Sequence, residues 1–144
     1  MRIIRLAVVC CLISTFAAFP FETKAIEING KCRVPDVAEA YRNSAAVFTG
    51  KILSVAADGD VKTFTFEVEK YWKGASGKEI EINVQQTMRY QAWFEVGNSY
   101  LVFARGSEDN NKLWEVRCSR TKPLAEASDD IAKLGRAKKP AGKN

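Results

Sequence analysis

The position of the cysteines relative to one cleavage site constrains this chain more than any other feature. The sequence holds four: Cys10, Cys11, Cys32 and Cys118. Arg2 and Arg5 open a basic stretch, residues 6–19 form an almost unbroken apolar run of 14, and Pro20 breaks it. Thr23-Lys24-Ala25 then sets small residues at the −3 and −1 positions of a signal-peptidase site. Fourteen apolar residues fall short of the roughly 20 needed to span a bilayer. The reading is a secretory signal peptide over residues 1–25; a cut after Ala17 would leave Pro20 just inside the mature chain. Cys10 follows Val9 rather than a small residue, which argues against lipidation. Cleavage after Ala25 removes two cysteines and leaves Cys32 and Cys118 in an exported domain of 119 residues. No second apolar run follows, so no transmembrane segment is expected in the exported chain, which is periplasmic or extracellular.

Oxidising compartments favour pairing two lone thiols. A Cys32–Cys118 bridge would close a loop of 87 residues. The chain-entropy stabilisation of such a loop is about 4.6 kcal/mol, a large share of the 5–15 kcal/mol typical of a whole domain. The alternative is two free buried thiols. No metal site is expected, because the chain has no histidine and two cysteines cannot close a tetrahedral zinc site.

The formal charge of +5 misleads. The leader carries Arg2, Arg5 and Lys24 against Glu22, and Arg136, Lys138, Lys139 and Lys143 lie in an acid-free tail, so residues 26–135 sum to −1. A nucleic-acid-binding domain carries its positive charge on a face of the fold. Here the charge belongs to the ends, and residues 136–144 read as a disordered basic tail.

Residues 26–135 read as one domain without repeats. Val34, Val37, Ala38 and Tyr41 recur at helical spacing behind Pro35, predicting a short N-terminal helix. Residues 45–55 read as a strand with Gly50 as a bulge. In residues 62–72, Phe64, Phe66, Val68 and Trp72 alternate with Thr63, Thr65, Glu67 and Glu69; residues 79–84 place Ile80, Ile82 and Val84 opposite Glu79, Glu81 and Asn83. The stretch 85–98 has no steady period and reads as loop. Residues 100–104 are apolar on both faces, the mark of a strand covered on both sides. Residues 113–118 place Trp114, Val116 and Cys118 inward. A closing helix begins near Pro123, aligns Leu124, Ala127, Ile131 and Leu134, carries acids early and bases late, and stops at Gly135. Five strands, a bulge glycine and two short helices predict a mainly β fold built as a small closed barrel.

The order Cys32, Ala46-Val47-Phe48-Thr49-Gly50-Lys51, Val68-Glu69-Lys70-Tyr71-Trp72-Lys73-Gly74, residues 94–103 and Cys118-Ser119-Arg120-Thr121 resembles the netrin-like domain. The pattern is most similar to single-domain, bacterial-type proteins akin to tissue inhibitors of metalloproteinases. The resemblance covers residues 32–134. It implies a five-stranded OB-type Greek-key barrel with an N-terminal and a C-terminal helix beside it. The family opens with Cys-x-Cys; here Gly30 stands in the first cysteine's place and residues 90–93 hold none. Both halves of one bridge are absent together, which leaves Cys32 and Cys118 as the other. In the inhibitors the first cysteine's amine and carbonyl chelate the protease zinc, a role Gly30 cannot take unless cleavage falls immediately before it, where Glu27-Ile28-Asn29 is a poor cleavage site.

No catalytic residue stands out. The most common general base near neutral pH is histidine, which is missing, and Asp129 and Asp130 are neighbours that do not converge. No cofactor is implied. On an OB barrel, strands 2 and 3 commonly bind nucleic acid, yet here they present Glu67, Glu69, Glu79 and Glu81, which would repel phosphates. The same four glutamates could instead face a cationic partner or form an ordinary solvated face. Tyr71 and Trp93 are candidate aromatic anchors for a partner, whereas Trp72 has core parity. The expectation is a monomeric, non-catalytic module that binds another protein. The alternative is a protease inhibitor, against metalloproteases in particular, working without N-terminal cysteine chelation.

Overall fold

The computed structural model describes residues 32–87, 93–108 and 110–142. The expected signal peptide, its expected cleavage site and Gly30 lie outside the described residues. The elements run α1 (Val37–Asn43), β1 (Ala46–Asp58), β2 (Val61–Lys73), β3 (Glu79–Gln85), β4 (Ser99–Gly106), β5 (Leu113–Glu115), β6 (Lys122–Pro123), a 3₁₀ turn (Leu124–Glu126) and α2 (Ser128–Leu134).

β1 to β3 form an antiparallel meander, β3 pairs with β5 in parallel, and β5 pairs with β4. β4 returns to β1 and closes the barrel, in the order β1-β2-β3-β5-β4 and back to β1. This is the five-stranded OB-type arrangement expected from the sequence; the two-residue β6 extends β4's free edge. Closure requires β1 to serve two partners and bend between them. The bend centres on Gly50, where the β1–β2 register slips. A Cβ there would lie 2.7 Å from the Glu67 carbonyl oxygen and 3.2 Å from the Phe48 ring, so only glycine lets the strands approach this closely.

Two apolar layers result. Ala46, Phe48, Ile52, Phe64, Phe66, Ile82, Val84, Tyr100 and Val102 fill the barrel. The rings there pack edge to face: Phe48 on Phe66 at 5.5 Å and Phe94 on Tyr100 at 4.9 Å. On the opposite faces of β1 and β4, Val47, Leu101 and Phe103 meet Ala40 of α1 and Ala127 beside α2. β4 is thus covered on both sides, as its composition predicted. Leu124, Ile131 and Leu134 pack on this outer layer as expected, and Gly135 ends α2 with φ 74°.

Several local expectations are corrected. Trp72 is buried, but in the outer layer, with its indole N–H donating to the Gly135 carbonyl at 2.9 Å. The cause is a bulge: Thr49 and Gly50 are consecutive yet face Lys70 and Val68, so Glu69 is the extra residue. One extra residue inverts every side chain beyond it, which turns Tyr71 towards the barrel and Trp72 towards α2. β5 is shorter than expected and its parity is reversed: Leu113 packs inward, Glu115 is buried, and Trp114 is half-buried. Cys118 lies beyond the strand with φ 67°.

α1 starts at Val37, two residues after Pro35, with Asp36 as the N-cap accepting from the Glu39 N–H at 2.8 Å. Its buried residues are Val37 and Ala40, while Val34, Ala38 and Tyr41 are exposed. The tail does not leave the fold at residue 136: Tyr71 and Lys138 exchange backbone hydrogen bonds at 2.9 and 2.7 Å, and the Ala141 N–H donates to the Ser76 carbonyl.

Candidate functional site

Cys32 and Cys118 form a disulfide with Cα atoms 5.2 Å apart. It joins the segment preceding α1 to the turn following β5, across a sequence separation of 86. Beside it, Arg120 donates from Nε and Nη2 to the two Asp130 oxygens at 2.9 and 2.7 Å, and from Nη1 to the Pro35 carbonyl at 2.8 Å. Lys122 Nζ lies 2.8 Å from the same carboxylate. Asp130 is 2 % exposed. Burial works to raise its pKa, but the hydrogen bonds and charges of Arg120 and Lys122 outweigh burial and hold the carboxyl below its ordinary value. This corner is a structural clamp rather than reactive chemistry, because every polar atom of the pair is spoken for.

The candidate residues fall into two groups. Glu67 and Glu79 face each other across β2 and β3, Glu81 faces Thr65, and Lys51 faces Glu67 from β1. All four glutamates are exposed, and none joins a salt bridge among the described residues. Glu69, on its bulge, accepts from the Ser99 hydroxyl at 3.3 Å. The structure therefore gathers these carboxylates on one sheet face and links that face through Ser99 to the start of β4. Tyr71 is half-buried against the barrel core, which withdraws it as an exposed anchor.

Trp93 is 41 % exposed. Its ring sits 5.0 Å from Phe94 and 5.4 Å from Tyr100, at the mouth of the barrel. Phe94 in turn contacts Phe64 at 5.2 Å, and Phe64 faces Val55 across the β1–β2 ladder. The segment after Trp93 runs beside β1: the Ile52 N–H donates to the Asn98 carbonyl at 3.0 Å and the Gly97 N–H to the Ile52 carbonyl at 2.8 Å. Val96 is thereby carried next to Leu53, itself the extra residue of the last of three register slips between β1 and β2. Leu53, Val55 and Val96 are 43 %, 45 % and 53 % exposed.

One rim of the barrel thus carries Leu53, Val55, Trp93 and Val96, and exposed Glu95 lies within it. Sequence reasoning found Trp93 but missed the three aliphatic residues. The available signal was Ile52-Leu53, two apolar neighbours that break strand alternation. Comparison with protein-family models and with curated proteins returns no match for this chain.

Proposed function

We propose that this chain is an exported, non-catalytic protein-binding module, and that the rim around Trp93 is its contact surface. The observation that carries the reading is the grouping of exposed Leu53, Val55, Trp93 and Val96, four of the six exposed large apolar side chains among the described residues; the other two, Val34 and Tyr41, lie before and on α1. Single exposed hydrophobes need no explanation, whereas a contiguous set rimmed by polar groups marks an interaction surface. Tryptophan is among the residues that most often concentrate binding energy. Glu95, Glu69 and Glu67 lie towards the same end of the molecule, so the partner that fits offers apolar side chains flanked by lysine or arginine. Such a face disfavours nucleic acid, whose affinity comes largely from phosphate neutralisation.

The test is affinity capture from the envelope of the source cell with the full chain, beside Trp93→Ala and Leu53→Asp. The expected result is one protein enriched by the parent chain and lost with both variants. Capture of the same proteins by all three would refute the rim as the contact surface.

A further inference from the structure

A cleft that shares no residue with the Trp93 rim is basic. It opens between α1 and the turn after β5, with Phe103 at its base and Arg33, Arg105, Arg117 and Arg120 around it. Two of these are committed: Arg120 to Asp130 and Pro35, and Arg33 to Glu39 at 3.1 Å. Arg105 and Arg117 are exposed, and among the described residues neither forms a salt bridge. They come from different elements, β4 and the turn that the Cys32–Cys118 bridge secures. The cleft therefore presents two guanidinium groups that, among the described residues, have no salt-bridge partner.

We infer that this cleft is an anion site that takes the paired side-chain carboxylates of an acidic protein segment. Guanidinium forks bind carboxylates bidentately and more directionally than an ammonium would. The excess of two charges matches a pair of carboxylates. Glu39 on the rim and the apolar base at Phe103 disfavour a continuous polyanion, which needs a positive stripe rather than a confined cleft. The site is independent of the Trp93 rim, so each can fail without the other.

The test is fluorescence anisotropy of a short labelled peptide of alternating Glu and Asp, titrated with the full chain at low salt. Parallel titrations use the same peptide with Gln and Asn, a sulfated oligosaccharide, and inorganic phosphate. The expected result is saturable binding of the acidic peptide alone, weakened by salt. Arg105→Gln and Arg117→Gln should each reduce affinity about tenfold, Arg117→Lys less, and Arg136→Gln in the tail not at all. Unchanged thermal midpoints in the glutamine variants separate lost binding from lost fold. Failure of the acidic peptide to bind, equal binding by the glutamine variants, or tighter binding of the oligosaccharide or phosphate would each overturn the assignment.

Discussion

Replacing Asp130 with Asn tests the clamp that ties α2 to the disulfide corner. The change keeps the shape of the side chain and removes its charge. Three charge-assisted contacts are weakened at once, from Arg120 at 2.9 and 2.7 Å and from Lys122 at 2.8 Å. Breaking a buried ion pair by removing one partner costs about 3–5 kcal/mol, because the remaining charge is left desolvated. The cations here retain 19 % and 27 % side-chain exposure and can partly rehydrate, which favours the lower end of that range. We expect a loss of about 3 kcal/mol at neutral pH, lowering Tm by roughly 10–15 °C for a domain of this size.

The pH dependence gives an independent check. The Asp130 carboxyl titrates below its ordinary value in the folded state. The stabilisation it supplies is therefore complete above about pH 4 and is lost as pH falls through the depressed folded value. Asp36, held low chiefly by the backbone hydrogen bond from Glu39, works in the same direction. The difference in stability between the parent and Asp130→Asn should shrink on acidification below about pH 4. Urea unfolding of both proteins across that range measures it. A variant within about 1 kcal/mol of the parent at neutral pH, the level of an exposed ion pair, would refute the reasoning, as would a difference that does not narrow in acid.

Other consequences are direct. If the chain is exported and cut after Ala25, the mature protein should carry no alkylatable thiol without reduction, and Cys118→Ser should cost about 2–5 kcal/mol while far-UV circular dichroism still shows the barrel. Gly74→Ala should cost more than about 2 kcal/mol, because Gly74 has φ 63° and a Cβ there would strike the Ala45 carbonyl oxygen; a denaturant midpoint reads it. With Ile26 as mature terminus, six residues ahead of Cys32, the α-amine is not held by the bridged cysteine. Titration against zinc proteases should therefore show no inhibition that N-terminal acetylation abolishes. Inhibition that survives acetylation but is lost in Trp93→Ala would instead assign a protease as the partner of the rim.

The barrel was legible because its strands obey simple periods. β2 and β3 alternate, β4 is apolar throughout, and Gly50 marks the bend. The pairing of Cys32 with Cys118 was expected because neither has another partner once the expected leader is set aside. What escaped were features that depend on one residue of register. Nothing in Val68-Glu69-Lys70 announces that Glu69 will bulge, yet that bulge decides which side of the sheet receives Trp72. Alternation sets Glu115 opposite the side chains read as inward, and Asp130 reads only as one of the acids early in the closing helix; the groups that engage them, Ser119, Arg120 and Lys122, reach them only through the tertiary fold. The exposed rim was half visible. Trp93 could be singled out by type, while Leu53 and Val96 gain meaning only when the segment after Trp93 lies down beside β1.

The most direct measurement is site-specific photo-crosslinking. A benzophenone amino acid placed at position 93 in the full chain, in its own cellular compartment, interrogates the rim while the partner is present. The same reagent at the exposed α2 position Ala132, which is not one of the rim residues, serves as the control. An adduct to one protein from position 93 that is absent from position 132, and suppressed by Leu53→Asp, is the predicted outcome. Adducts from position 132 with none from position 93 would contradict the proposed surface.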